Sequence, residues 1–235
     1  MSPTRITIRR WGQLLLGLFF YGIAVALLIQ ADVGLDPWTV FAQGLEVQTG
    51  LSIGVIVVLI GAGVLLLWIP IRQKPGIGTV LNVLLIGPVI DLTMLVVTTP
   101  DQLWAQWLMF AAGLALLAVA TGLYIGARFG PGPRDGLMTG AHARFGWKIW
   151  KVRTVVEVTV LTIGWLLGGT VGFGTVAFAL LIGPMVGYTL PRLRVPEPSG
   201  LTAPETEATG IAPEESGAAP EESGAAPGQA SSASA

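Results

Sequence analysis

The chain repeats itself at a fixed offset of 96 residues, and nothing else in it limits the architecture as strongly. Residues 76–90 read GIGTVLNVLLIGPVI and residues 172–186 read GFGTVAFALLIGPMV, identical at nine of fifteen positions. The register holds without a gap over roughly 11–95 and 107–191. Gly34, Pro37, Gly44, Gly50, Gly76, Gly78, Thr79, Gly87 and Pro88 recur as Gly130, Pro133, Gly140, Gly146, Gly172, Gly174, Thr175, Gly183 and Pro184. Each copy sets a Gly-Pro pair, Gly87-Pro88 or Gly183-Pro184, inside a long apolar segment. A proline there lacks a backbone donor and crowds the preceding turn, so a kink or break is expected. Paired breaks in two halves of a membrane protein point to a binding site near the bilayer midplane.

The medium follows from composition. Only 11% of the residues are charged and 52% are hydrophobic, against about 25% charged in an ordinary soluble domain. Six segments approach the ~20 residues that cross a bilayer as a helix: 11–31, 52–71, 77–97, 103–126, 152–169 and 174–191. The first follows Arg5, Arg9 and Arg10, as a signal peptide would. Its length and its counterpart in the repeat (Gly17 with Gly113, Ala24 with Ala120) mark it instead as a retained span.

Two further segments are too short to cross. Residues 36–49 open with Asp36-Pro37, an N-cap followed by proline at the first helical position, and end at Gly50. Residues 132–146 open with Gly132-Pro133 and end at Gly146. Both are expected to be interfacial or re-entrant helices.

With the N-terminus in the cytoplasm, all thirteen Lys and Arg residues fall on cytoplasmic segments and none on external ones. The eight tryptophans fall near span ends, like an aromatic belt. Three spans per half is an odd number, so the second half is expected to be inverted relative to the first, with the first short helix on the outer side and the second on the inner side.

The expected fold is therefore an all-α membrane protein: six transmembrane helices as an inverted 3+3 repeat, each half with one short interfacial or re-entrant helix. Its parts are a cytoplasmic N-terminus (1–10), the first repeat (11–95), an external linker with the start of span four (96–106), the second repeat (107–191) and a cytoplasmic tail (192–235). Residues 197–235 hold seven glutamates and no Lys or Arg, and APEESGA occurs twice in tandem at 212–218 and 219–225. With almost no large apolar residue, this tail is expected to be disordered. The expected location is the cell membrane, with both termini cytoplasmic and the lipid bilayer as the main partner.

Several chemistries are excluded. There is no cysteine and a single histidine, His142, so disulfides, thiolate sites and multi-histidine metal sites have no ligands. The glycine-rich loop at 130–136 lacks the Gly-Lys-Ser/Thr of a nucleotide-binding loop. No metal, cofactor, catalytic set or nucleic-acid partner is expected.

The candidate substrate contacts are Asn82, Gly87, Pro88, Asp91, Gly183 and Pro184. Asp91 is an intramembrane carboxylate, which reads either as a proton- or cation-coupling group or as a residue snorkelling to the headgroups. Asp36, Pro37, Arg134 and Asp135 sit at the starts of the short helices, where free N–H groups and a positive dipole end suit an anion; tight turns are the plainer role. Arg153 and Glu157, four apart on one face, read as an ion pair or an inner gate. The small-residue pairs Gly50/Gly54, Gly164/Gly168 and Gly183/Gly187 are expected to let helices approach closely.

The strings GLDPWTVFAQGL, TGLSIG, GTVLN, GPGPRDGLMTG, VRTVVEVTVLTIGWLLGG and VGFGT together resemble the YczE/YitT group of bacterial multi-pass membrane proteins, over about 11–191. The chain is more similar to the YczE-like branch, since the YitT-like branch usually carries a folded soluble C-terminal domain. The resemblance implies a membrane location and a fold. It also implies an association of some members with regulation of secondary-metabolite production, and it carries over no substrate or catalytic residue.

Two functions are expected from different classes. One is a small secondary transporter or permease with a midplane site at the repeat interface and a small-molecule substrate. The other is a non-transporting membrane regulator or scaffold that acts through a protein partner. An intramembrane enzyme fits less well, because Asp91 and Glu157 lie about 10 Å apart along the membrane normal at 1.5 Å rise per residue. Oligomeric state is open.

Overall fold

The computed structural model describes residues 3–195, with side chains from residue 6 onward. The tandem APEESGA segments and most of the expected tail lie outside the described residues. All regular structure among the described residues is helical: α1 (Pro3–Ala31), α2 (Pro37–Thr49), α3 (Ile53–Ile71), α4 (Ile77–Met94), α5 (Leu103–Gly126), α6 (Pro133–Phe145), α7 (Ile149–Leu166) and α8 (Phe173–Leu193). Five of them, α1, α3, α4, α5 and α8, are long and apolar enough to cross a membrane. The expected sixth span, α7, begins three residues early and holds Lys151, Arg153 and Glu157 within its eighteen residues. That charge load keeps its composition below that of the other five. At 13 residues each, α2 and α6 are about 20 Å long, short of a ~30 Å hydrocarbon core.

Apolar packing centres on α1 and α5. Leu14, Leu18 and Leu28 of α1 meet Leu114 and Leu117 of α5, with Ile86 and Ile90 of α4 closing the same core. Gly17 lets α1 approach the backbone of Tyr124, and Gly113 lets α5 approach Ala24 and Leu27.

Hydrogen bonds gather the helix ends into two sets. At one end Arg10 of α1 donates to the carbonyls of Ala127 (2.9 Å) and Arg128 (2.7 Å), just past α5. The Gln13 amide reaches the Leu193 carbonyl of α8. At the other end the Gln30 amide donates to Val97 beyond α4 (2.9 Å). The Asp91 carboxylate, late in α4, accepts from the Ser52 hydroxyl (2.6 Å) and the Gly54 N–H (2.8 Å) at the start of α3. Hence α1 and α4 run one way, and α3, α5 and α8 run the other.

The offset of 96 reappears in the backbone. Left-handed residues occur in matched pairs: Asp32 (φ 52°) with Arg128 (58°), Gly34 (125°) with Gly130 (114°), Gly50 (70°) with Gly146 (69°), and Arg72 (57°) with Gly168 (104°). The repeated Gly-x-Gly-Thr turns explain one of these pairs. Thr175 Oγ1 accepts from Gly172 N (3.3 Å) and from Leu35 N in the loop before α2 (3.1 Å), and Gly174 N donates to Val33 O (2.8 Å). In the counterpart, Thr79 Oγ1 accepts from Gly76 N (3.2 Å) and donates to Pro131 O (2.7 Å), while Gly78 N donates to Phe129 O (2.9 Å). Each half's loop is thus bound to the other half's turn. Gly34 and Gly130 lie against those turns in a φ region that disfavours side chains.

Three expectations are corrected. Helices α4 and α8 run without a break through Pro88 and Pro184, whose rings lie on exposed faces; each ring removes one backbone donor without ending its helix. Trp38 and Trp68 do not belong to a surface belt: they are 6% and 1% exposed. Finally, Gly183 and Gly187 pack against nothing, with open space where a side chain would go. Their counterpart Gly87 is pressed against the Gly54 carbonyl of α3, and α7 makes no comparable contact with α8.

This difference predicts contrasting effects of one substitution. Gly87→Leu overpacks the α3–α4 contact and is expected to cost about 1–3 kcal/mol, lowering the thermal unfolding midpoint in detergent. Gly183→Leu should leave that midpoint unchanged or slightly higher, since leucine favours a helix over glycine. Removing the carboxylate that accepts from Ser52 and Gly54 at the start of α3, by Asp91→Ala, should cost about 1–2 kcal/mol, read from the same melting curves.

Candidate functional site

The two short helices point their first turns at each other inside the bundle. The first turn of α2 is buried at Trp38, Thr39 and Val40, and its last turn is exposed. Asp36 caps it, with Oδ1 accepting from Trp38 N (3.1 Å) and Thr39 N (3.4 Å) and Oδ2 from the Thr39 hydroxyl. Pro37 occupies the first helical position, where no N–H is needed. In α6, Pro133 takes the same place and its carbonyl accepts from the indole N–H of Trp68 (3.1 Å).

Across this junction Arg134 Nη1 lies 3.3 Å from Asp36 Oδ1. Its guanidinium also lies over the Trp38 ring, 5.0 Å from the centroid. The next residue, Asp135, accepts a hydrogen bond from the Tyr124 hydroxyl of α5 (3.2 Å). Tyr21 of α1 meets the Tyr124 ring edge-on at 5.9 Å, within the field of Arg134, Asp36 and Asp135.

The junction is not sealed. Asp135 keeps solvent-exposed surface although protein atoms surround its carboxyl densely. The Arg134 side chain is 33% exposed. Burial pushes the Asp135 carboxyl above the ordinary aspartate range, against the opposing pull of the Tyr124 hydrogen bond and of the Arg153 and Arg134 charges. The result is a compact polar set of one guanidinium, two carboxylates and two phenols, at two helix ends that each carry about half a positive charge. Such a set can hold a small polar solute or a proton.

Of the residues singled out by sequence, Asp36, Pro37, Arg134 and Asp135 come together here. Arg153 and Glu157 form an ion pair along α7 (3.0 Å), and Arg153 acts on Asp135 at longer range. The others lie elsewhere. Asn82 is half-buried with no hydrogen bond to the protein. Asp91 and Gly87 are taken up by the α3–α4 contact. Pro88 faces outward, and Gly183 adjoins open space. Pro184 lines an open apolar groove of about 350 Å³ between α5 and α8. Sequence reasoning missed Tyr21, Tyr124, Trp38 and Thr39. The available signal was a tyrosine inside an apolar run, whose hydroxyl needs a partner when buried.

Residues 8–191 match a family described as a family of unknown function, DUF6198. The chain is 39% identical over 177 residues to an uncharacterized protein of Haemophilus influenzae, covering 75% of this chain and 81% of that one. It is 33% identical over 185 residues to the uncharacterized membrane protein YczE of Bacillus subtilis, covering 78% and 86%. The uncharacterized Bacillus subtilis protein YyaS is 27% identical over 180 residues, covering 75% and 90%. No solved structure matches the chain. With five apolar helices of crossing length and a membrane-protein relative on this scale, the chain is a multi-pass membrane protein, and it belongs to the DUF6198 family as a YczE-like member.

Proposed function

We propose that this protein is a small permease whose solute crosses at the junction of α2 and α6. The observation that carries the proposal is the Asp36–Arg134 contact, which joins the first turns of two helices that each emerge at their other end. Helices lying in opposite membrane interfaces would be ~30 Å apart and could not make that contact. Both short helices therefore enter the membrane, α2 from the external side and α6 from the cytoplasmic side. Irregular backbone at such depth is tolerated where protein or a polar cavity surrounds it, and broken or short helices meeting at a midplane are how many secondary transporters bind solute. The matched left-handed residues and the reciprocal loop-to-turn bonds support an inverted 3+3 repeat, with α7 as the sixth span. Its charged residues Lys151 and Arg153 lie at its cytoplasmic start, where long side chains reach the headgroups.

The absence of cysteine allows a direct topology test. Thr49→Cys and Arg144→Cys, at the exposed ends of α2 and α6, should label with a membrane-impermeant maleimide from opposite sides, the first in intact cells and the second only after lysis. Labelling of both from one side would refute the inverted arrangement.

The function is tested by thermal-shift screening of purified protein with amino acids, organic anions and amines, then by uptake of hits into proteoliposomes. Arg134→Lys keeps the charge but loses the planar fork and its stacking on Trp38. It should lower uptake about tenfold or more while the fold persists. A well-folded protein that responds to no solute would refute the permease and favour a regulator acting through a protein partner.

A further inference from the structure

The two carboxylates at the junction are not equivalent. Asp36 accepts from two backbone N–H groups, the Thr39 hydroxyl and the Arg134 guanidinium. Those donors occupy both of its carboxylate oxygens. Asp135 accepts one phenolic hydrogen bond, from Tyr124, and no cation touches it. The guanidinium on the adjacent residue is spent on Asp36, and Arg153 is held by Glu157. Asp135 is also the member of the pair that solvent reaches. Tyr21, packed edge-on against Tyr124, lies within electrostatic reach of both carboxylates.

We propose that Asp135 is the proton-binding residue of this site, taking a proton from water onto its carboxylate and releasing it there. The titratable and charged groups within its reach are Tyr124 from α5, Tyr21 from α1, Arg153 from α7 and Arg134 from α6 itself. On protonation the O–H forms at Asp135 while Tyr124 stays protonated and keeps donating to the other oxygen. The junction then loses the charge of Asp135, while the Arg134–Asp36 contact stays in place. On the permease reading above, that change is the step that couples solute movement to a proton, because a cationic group of the solute and the proton compete for the same oxygen.

The test of proton binding needs no solute. Infrared titration of the protein in lipid nanodiscs should show a protonated-carboxyl stretch that appears as pH falls, with a midpoint above that of an ordinary aspartate, about 3.9. Among the fourteen carboxyl side chains of the sequence, the component in question is the one in the wild-type-minus-Asp135→Asn difference spectrum, and it should be kept in Asp36→Asn. Tyr124→Phe retains the carboxyl and removes the bond that favours its anion, so its midpoint should move upward, which covers the case in which an aspartate variant fails to fold. A difference spectrum without that component, or a midpoint unmoved by Tyr124→Phe, would overturn the proposal. A failed solute screen would remove the permease and leave this titration standing, whereas a failed titration would leave an uncoupled permease.

Discussion

The reciprocal clasp between each half's loop and the other half's Gly-x-Gly-Thr turn is the constraint from which the rest of the interior follows. Thr175 and Gly174 bind the loop 33–35, and Thr79 and Gly78 bind the loop 129–131. These bonds satisfy backbone groups that would otherwise be unpaired away from water, at a cost of several kcal/mol each. They also turn the chain back into the bundle just before Asp36 and just before Pro133. Without that inward turn the two helix starts would not meet, and neither Arg134 nor Asp135 would have a partner.

The same clasp accounts for where the repeat is strict and where it is loose. Gly34 and Gly130 have no freedom, because each is pressed against a turn of the opposite half. The side chains at the junction have diverged. Position 36 holds aspartate where 132 holds glycine, and position 39 holds threonine where 135 holds aspartate. One half supplies a fixed anion, and the other supplies the guanidinium and the second carboxylate. A symmetric scaffold thus carries a site with no internal symmetry.

Much of this was legible in the chain. The offset of 96, the short helices at 36–49 and 132–146, and the capping by Asp36, Gly50 and Gly146 were all written in local patterns, and the helices follow them to within a residue. Contacts between distant residues were not. Arg134 reads as a basic residue at a helix start suited to an anion, but that its partner is Asp36, 98 positions away and 3.3 Å from it, is not written locally. Asp91 reads as an unpaired intramembrane charge until Ser52 and Gly54 are seen around it. Trp38 and Trp68 pass for belt residues because both stand near the end of an apolar run, and only packing reveals that one lies under the guanidinium and the other holds α6. The Gly-Pro pairs signalled a break, yet the helical bonds on either side carry α4 and α8 through both prolines.

The two short helices are seated differently. Helix α2 rests on α7 through bare glycine, Gly44 against Gly164 with no side chain between. Helix α6 rests on α3 through the indole of Trp68, which fills the space beside Gly136. The seat of α2 therefore depends on two residues having no side chain, and the seat of α6 on one buried side chain whose indole N–H is also bonded to the Pro133 carbonyl.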